Sequence, residues 1–391
     1  MKLNRKPNQV RALDILLFCT WGYSVILYYF RTLTSKLMGI NSLDNPILGI
    51  IIVTVVAFSL PGIIKHIKLI DVFCYAFVVV LFYLNYVLYP GNAFYLDEVK
   101  SQFLVNSALL YFVGLSVDIE RNKKMLRDMA IASIVIVIAI MLFLGGAEQL
   151  SGEVDHNMGQ AYDLLPHVLV LLWLWFEEGG GLNVVFSLIG ILLLFSFGTR
   201  GPIVCVIIFV VSFFLFYKEF KYPVAGRITT VAVGILFYLF LKPLMTLLLS
   251  FLQAIGMSTR IAEKYLDNTI MDANGRDILH DQILNMIDSG PFWGYGFAGD
   301  RQFLGGWSHN IHLEMMAAFG RIPGTAIVVI LIVFIVSTLY ASKYSIYGKF
   351  MLLLVCCCIE LFFSSSFLIL PVFYLMLGYG MQIRRKRFSS F

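Results

Sequence analysis

The sequence predicts an all-α, polytopic integral membrane helix bundle, and three observations predict it. Of its 391 residues, 59% are hydrophobic and 14% charged, with a mean hydropathy of +0.84; a soluble domain carries about 25% charged residues. Apolar runs near the roughly 20 residues that cross a bilayer recur from end to end. Lys and Arg collect in alternate connecting segments, as they do in cytoplasmic loops.

About twelve apolar runs qualify as spans on length and composition. They fall at 12–30, 46–64, 70–89, 101–117, 129–146, 163–176, 184–199, 202–217, 228–249, 312–340, 349–364 and 367–382. The first is read as a span and not as a cleavable leader. The sixth is short, and the last two are parted only by Ser364 to Ser366. With the N-terminus inside, the inner segments carry Lys2, Arg5, Lys6 and Arg11; Lys65 and Lys68; Arg121, Lys123, Lys124 and Arg127; Lys218, Lys221 and Arg227; Lys343 and Lys349; and Arg384, Arg385, Lys386 and Arg387. That bias puts both termini in the cytoplasm.

The longest hydrophilic interval, 250–308, then becomes a large extracytoplasmic loop with short helices, within a single transmembrane domain covering 1–391. A second outer loop, 147–162, is acidic through Glu148, Glu153 and Asp155. Glu153 and Asp155 could pair on a metal, but a solvated acidic loop is the simpler reading. Asn157, beside them, is a candidate for holding sugar hydroxyls. No internal repeat is apparent. The six cysteines all lie inside apolar runs and read as packing residues, not as a disulfide framework. The net charge of +5 is modest, and no nucleic-acid partner is read from it.

Three polar features interrupt this pattern. In "FSFGTRGPIVCVIIF", residues 195–209, Arg200 joins two apolar runs. An arginine at mid-bilayer costs about 2.5–3.5 kcal/mol even on lenient scales, so it must face water, a partner or an anion. Snorkelling to lipid phosphates is the bland alternative, but Gly201-Pro202 makes the turn without any arginine. In "DANGRDILHDQILNMIDSGPFWGYGFAGD", residues 272–300, apolar residues recur at helical spacing from Arg276 to Ile287. Asn274 or Gly275 would cap that helix and Ser289-Gly290-Pro291 would end it. An arginine in a first turn opposes the helix dipole, so Arg276 asks for an anion or an acidic neighbour. Gly294 and Gly296 in "GYGF" offer backbone that could approach a ligand, although an ordinary loop explains them as well.

The third feature is "GGWSHNIHLEMMAAFG", residues 305–320, with Ser308 as the expected cap of an apolar-rich helix. His309 and His312 share a face at i, i+3, with Asn310 between them and Glu314 farther round. The pattern is not HExxH and no further His/Cys cluster supports it, so no metal site is predicted. A histidine can be neutral near pH 7 and take a proton from a hydroxyl. Two guanidinium groups, Arg200 and Arg276, suit a diphosphate, because each binds phosphate oxygens through paired hydrogen bonds. Together these residues suit the attack of a hydroxyl on a lipid-diphosphate-linked group outside the membrane.

"FGTRGPIV", then "NGRDILHDQILNMIDSGPFWGYGF", then "SHNIHLEMMAAFGRIPGTAIVVILIVF" resembles, in that order over roughly 190–340, the O-antigen polymerase and O-antigen ligase superfamily. The resemblance implies a GT-C-like, metal-independent glycosyltransferase of the bacterial inner membrane. Such an enzyme needs no cofactor and moves a glycan from undecaprenyl diphosphate to a hydroxyl on the extracytoplasmic face. It implies diphosphate-binding roles for Arg200 and Arg276 and the catalytic role for His309. Arg321, where the family more often has an apolar residue, departs from the pattern. The partners implied are a lipid-linked oligosaccharide donor, a glycan acceptor, the bilayer and a chain-length regulator.

A polysaccharide polymerase is the first expectation. A ligase that passes the glycan to a lipid-core acceptor uses the same donor chemistry. A flippase for lipid-linked sugars would want midplane charges and duplicated halves, which are not seen. A peptidoglycan polymerase of the shape-and-division class would draw its base from the acidic loop.

Overall fold

The computed structural model describes residues 57, 59–144, 154–254, 259–269 and 275–388. The run 12–30, most of 46–64, and Glu148, Glu153 and Asn274 lie outside the described residues, as do the side chains of Asp155 and Asn157. All regular structure among the described residues is helical. Three helices are long and apolar enough to cross a membrane, or four if one bent pair counts as a single span.

The chain continues from α1 (Leu69–Leu88) through a 3-10 turn at Pro90–Asn92 into α2 (Ala93–Ser101). A π-helical turn, Gln102–Ser107, joins α2 to α3 (Ala108–Ser116), and α4 is Ile119–Leu144. Next come α5 (Val154–Glu178), α6 (Gly181–Ser196) and α7 (Arg200–Ser212), which a π turn carries on to Tyr217. The helix of the predicted short run 163–176 is therefore longer than its apolar part. Its first turns are polar, which is why they read as loop.

The predicted span 228–249 is two helices, α8 (Pro223–Leu239) and α9 (Leu241–Ala254), with a 59° bend between them. The large loop holds α10 (Arg260–Leu266), α11 (Arg276–Ser289) and α12 (Gly299–Leu304). Asn310, not Ser308, caps the next helix, accepting from the backbone N–H groups of His312 and Leu313.

The predicted span 312–340 is also broken, into α13 (Ile311–Phe319) and α14 (Arg321–Ala341) at Gly320. Gly320 has φ +88°, and a β-carbon there would stand 1.8 Å from the Phe292 carbonyl oxygen. A helix cannot run through such a residue. Arg321 thus opens α14, and its guanidinium pairs with Asp288 at the end of α11, 2.6 Å away. α15 (Ile346–Cys358) ends in a 3-10 turn, Ile359–Phe362. A non-helical segment over 363–370 precedes α16 (Pro371–Phe388), so the last helix starts later than the apolar run 367–382 suggests.

The main buried core is centred on α5, α15 and α16, with α16 packed along α3, and a smaller cluster packs α11 against α13 through Ile283, Met286, Ile287, Leu313, Met316 and Ala317. Cys205 and Cys356 to Cys358 sit in it as free thiols. α5 also gives the bundle an axis. At its C-terminal end Glu178 pairs with Lys123 (2.5 Å) and Glu177 with Lys349 (2.8 Å), and Lys218 donates to the Phe176 carbonyl. Tyr162, near the other end, is about 22 Å away at 1.5 Å per residue. Lys123, Lys218 and Lys349 thus gather at the C-terminal end of α5, and Tyr162 lies towards the other.

Candidate functional site

The site is built around Tyr162, which faces the start of α7. A β-carbon on Gly201 would stand 1.7 Å from the Tyr162 phenol oxygen, so the ring can rest there only because residue 201 has no side chain. Arg200, the neighbour of Gly201 and the first residue of α7, is half-buried. Arg276, the first residue of α11 after the left-handed Gly275 cap, is also half-buried. Glu360, in the 3-10 turn that follows α15, accepts through its backbone carbonyl from the Ser364 N–H at 2.9 Å.

Ser364 ties Tyr162 to the histidine. Its hydroxyl donates to the Tyr162 oxygen at 3.0 Å. Its carbonyl lies 3.1 Å from the Trp307 ring N–H and 3.2 Å from His309 Nδ1. A carbonyl can only accept, so Nδ1 carries the proton and Nε2 is the basic nitrogen of the neutral ring. The Trp307 indole packs edge-on against the imidazole, centroids 5.4 Å apart, which limits its rotation. His309 has φ +55°, a left-handed conformation that costs roughly 1–2 kcal/mol in a residue with a β-carbon. Surrounding contacts must over-determine such a residue, and strain of this kind collects at functional sites.

The remaining predicted residues have other surroundings. The His312 ring bonds Thr325 of α14 at 3.1 Å, so the two histidines turn to different partners. Asn310 spends its side-chain oxygen on capping α13. Gly294 lies against the backbone of residues 317–320 and Gly296 against the side chains of Asn85 and Tyr89, so neither faces open space. The N–H groups of Tyr295 and Gly296 donate to the carbonyls of Ala317 and Ala318, at 2.8 and 3.0 Å. Asn92 reaches the carbonyls of Tyr295 and Phe297, and Asn85 accepts from the Phe297 N–H. This glycine pair fastens the loop to the end of α13, and a packing role accounts for it. Glu314 is buried and bonds the Ser366 hydroxyl and the Phe367 N–H, on the segment that carries Ser364. Asn157 lies in the first turns of α5.

Sequence reasoning missed Tyr162, Ser364, Trp307 and Glu360. A lone Tyr, Ser or Trp in a rich background has no periodicity to betray it, and Glu360 sits in an apolar run. It was the one clue available, because a carboxylate in such a run asks for a reason. Among the described residues no group of three or more His, Cys, Asp or Glu side chains is placed to hold a metal ion. The class that the fold defines is an α-helical protein with helices long and apolar enough to cross a membrane, one of them α7 with its π turn, Arg200–Tyr217, which begins at this cluster. No family model matches the chain, and neither a curated protein nor a solved structure does.

Proposed function

We propose that the protein is a polysaccharide polymerase of the bacterial inner membrane. In this reading it transfers a growing glycan from undecaprenyl diphosphate to a sugar hydroxyl on the extracytoplasmic face. In the same reading the apolar runs of the sequence carry the chain across the membrane about twelve times, with both termini in the cytoplasm. The observation that carries the reading is that two motifs far apart in the sequence meet through Tyr162 and Ser364: the start of α7 at Arg200-Gly201 and the oriented ring of His309. The gathering of Lys123, Lys218 and Lys349 at the far end of α5 supports an outward-facing site.

The chemistry follows from the side chains. Nε2 of His309 takes the proton of the acceptor hydroxyl as its oxygen bonds to the anomeric carbon. The bond from that carbon to the diphosphate oxygen breaks, and undecaprenyl diphosphate departs with the electron pair. Arg200 and Arg276 stabilise the negative charge that develops on it, the role a divalent ion plays elsewhere. The imidazolium then returns its proton to solvent. No cofactor is consumed. The donor, the acceptor glycan and the bilayer are the partners, with a chain-length regulator as a further one, and none is a nucleic acid.

The test is polymerisation by purified protein from a purified lipid-linked repeat unit. Longer lipid-linked glycan is the expected product. Transfer only to a lipid-core sugar would instead indicate a ligase, and movement of the unit across a bilayer without bond formation a flippase.

A further inference from the structure

Beneath His309 lies a charged cluster that the proposed chemistry does not use. Asp300, Arg301 and Glu314 are 1%, 3% and 2% exposed. One Arg301 guanidinium nitrogen (Nη2) donates to the Ser366 hydroxyl oxygen at 2.9 Å, and that hydroxyl donates in turn to Glu314. The other Glu314 oxygen accepts from the Phe367 N–H at 3.2 Å. Asp300 accepts from the Ser308 N–H at 2.9 Å. The Arg301 guanidinium lies 5.6 Å from the centre of the Trp307 ring.

Stability alone does not explain this arrangement. Two carboxylates and one guanidinium have been taken out of water, and burial pushes the Asp300 carboxyl above its usual range. Apolar residues of the same volume often serve a core equally well or better. The Nε of Arg301 is buried and has no partner. What the cluster does accomplish is geometric. Asp300 holds residue 308, next to His309, while Glu314, through Ser366 and Phe367, holds the segment that presents the Ser364 carbonyl. Arg301 braces Trp307, the second donor to that carbonyl. Both sides of the contact between His309 and Ser364 are therefore fixed by one buried network. It also explains how a strained His309 is kept in place.

We propose that Glu314 is a positioning residue: by anchoring Ser366 and Phe367 it holds the Ser364 carbonyl where it orients the His309 ring. This rests on His309 being the base of the proposed transfer. A carboxylate is suited to the task because its two oxygens accept from two donors at once, whereas a glutamine offers one acceptor oxygen and a donor in the wrong place.

The experiment is Glu314→Gln in the full chain, purified and assayed with the lipid-linked repeat unit, beside wild type, His309→Ala and the double variant. We expect Glu314→Gln to remain monodisperse and thermally stable. Its kcat should fall by about tenfold to a hundredfold, the scale of a small misplacement of a reacting group, with KM for the donor unchanged. In the His309→Ala background it should cost nothing further, since an absent ring cannot be misoriented. Full kcat in Glu314→Gln would overturn the proposal, and so would an equal loss with and without His309. A fully active His309→Ala would instead remove the base reading itself. Should Glu314→Gln fail to accumulate, Ser366→Ala removes a single hydroxyl and carries the same expectations.

Discussion

Gly201 and Tyr162 are in contact at the start of α7, so close that no β-carbon fits between the residue 201 backbone and the phenol oxygen. The first turn of α7 therefore has its position relative to α5 set by a missing methyl group. On the other side of the same phenol oxygen stands the Ser364 hydroxyl, and beyond it the His309 ring.

Gly201→Ala should for that reason displace Tyr162 and, with it, Ser364. Overpacking of this kind typically costs about 1–3 kcal/mol. The expected outcome is a lower thermal midpoint in detergent together with at least a tenfold loss of polymerisation. A fully stable and active Gly201→Ala protein would mean that the contact is not kept in the working protein.

Arg200→Lys and Arg276→Lys should each abolish polymer formation while the protein still inserts and purifies. Lysine keeps the charge but loses the planar, two-pronged contact that suits phosphate oxygens. Normal polymer from both variants would remove the diphosphate clamp. A loss confined to Arg276→Lys would leave Arg200 as a membrane-boundary residue.

His309→Ala should lower turnover by roughly 10²–10⁴-fold, the usual contribution of a general base, with donor affinity nearly unchanged. His312→Ala should cost much less, because that ring is engaged with Thr325. Donor binding measured separately from turnover tells the two apart. A dead His312→Ala beside an active His309→Ala would reverse the assignment, and equal mild losses would make both histidines structural.

How much of this could be read from the sequence depends on which residues carry a local cost. The all-helical fold was legible because apolar runs of helical length admit few other structures. Arg200, Arg276 and His309 stood out because a charge beside an apolar run, an arginine in a first turn and a histidine at a helix start each need a reason. The breaks at Gly320 and Phe240 were hidden, since apolar composition runs straight across both. The sequence offers Gly294 and Gly296 to a ligand, but the space beside Gly294 is filled by the backbone of residues 317–320 and that beside Gly296 by the side chains of Asn85 and Tyr89. Tyr162 and Ser364 were out of reach for a different reason. They are 202 residues apart in sequence, and a single tyrosine meeting a single serine leaves no pattern in either neighbourhood.

The most direct measurement uses purified protein in liposomes with a defined undecaprenyl-diphosphate-linked repeat unit and excess chelator. Lengthened lipid-linked glycan and released undecaprenyl diphosphate are counted together by mass spectrometry. One released diphosphate lipid for each new glycosidic bond, unaffected by the chelator and lost in His309→Ala, is the expected result. Bond formation that stops in chelator and returns with a divalent ion would contradict the arginine-based mechanism, and no bond formation at all from an intact repeat unit and a suitable acceptor would contradict the glycosyl transfer itself.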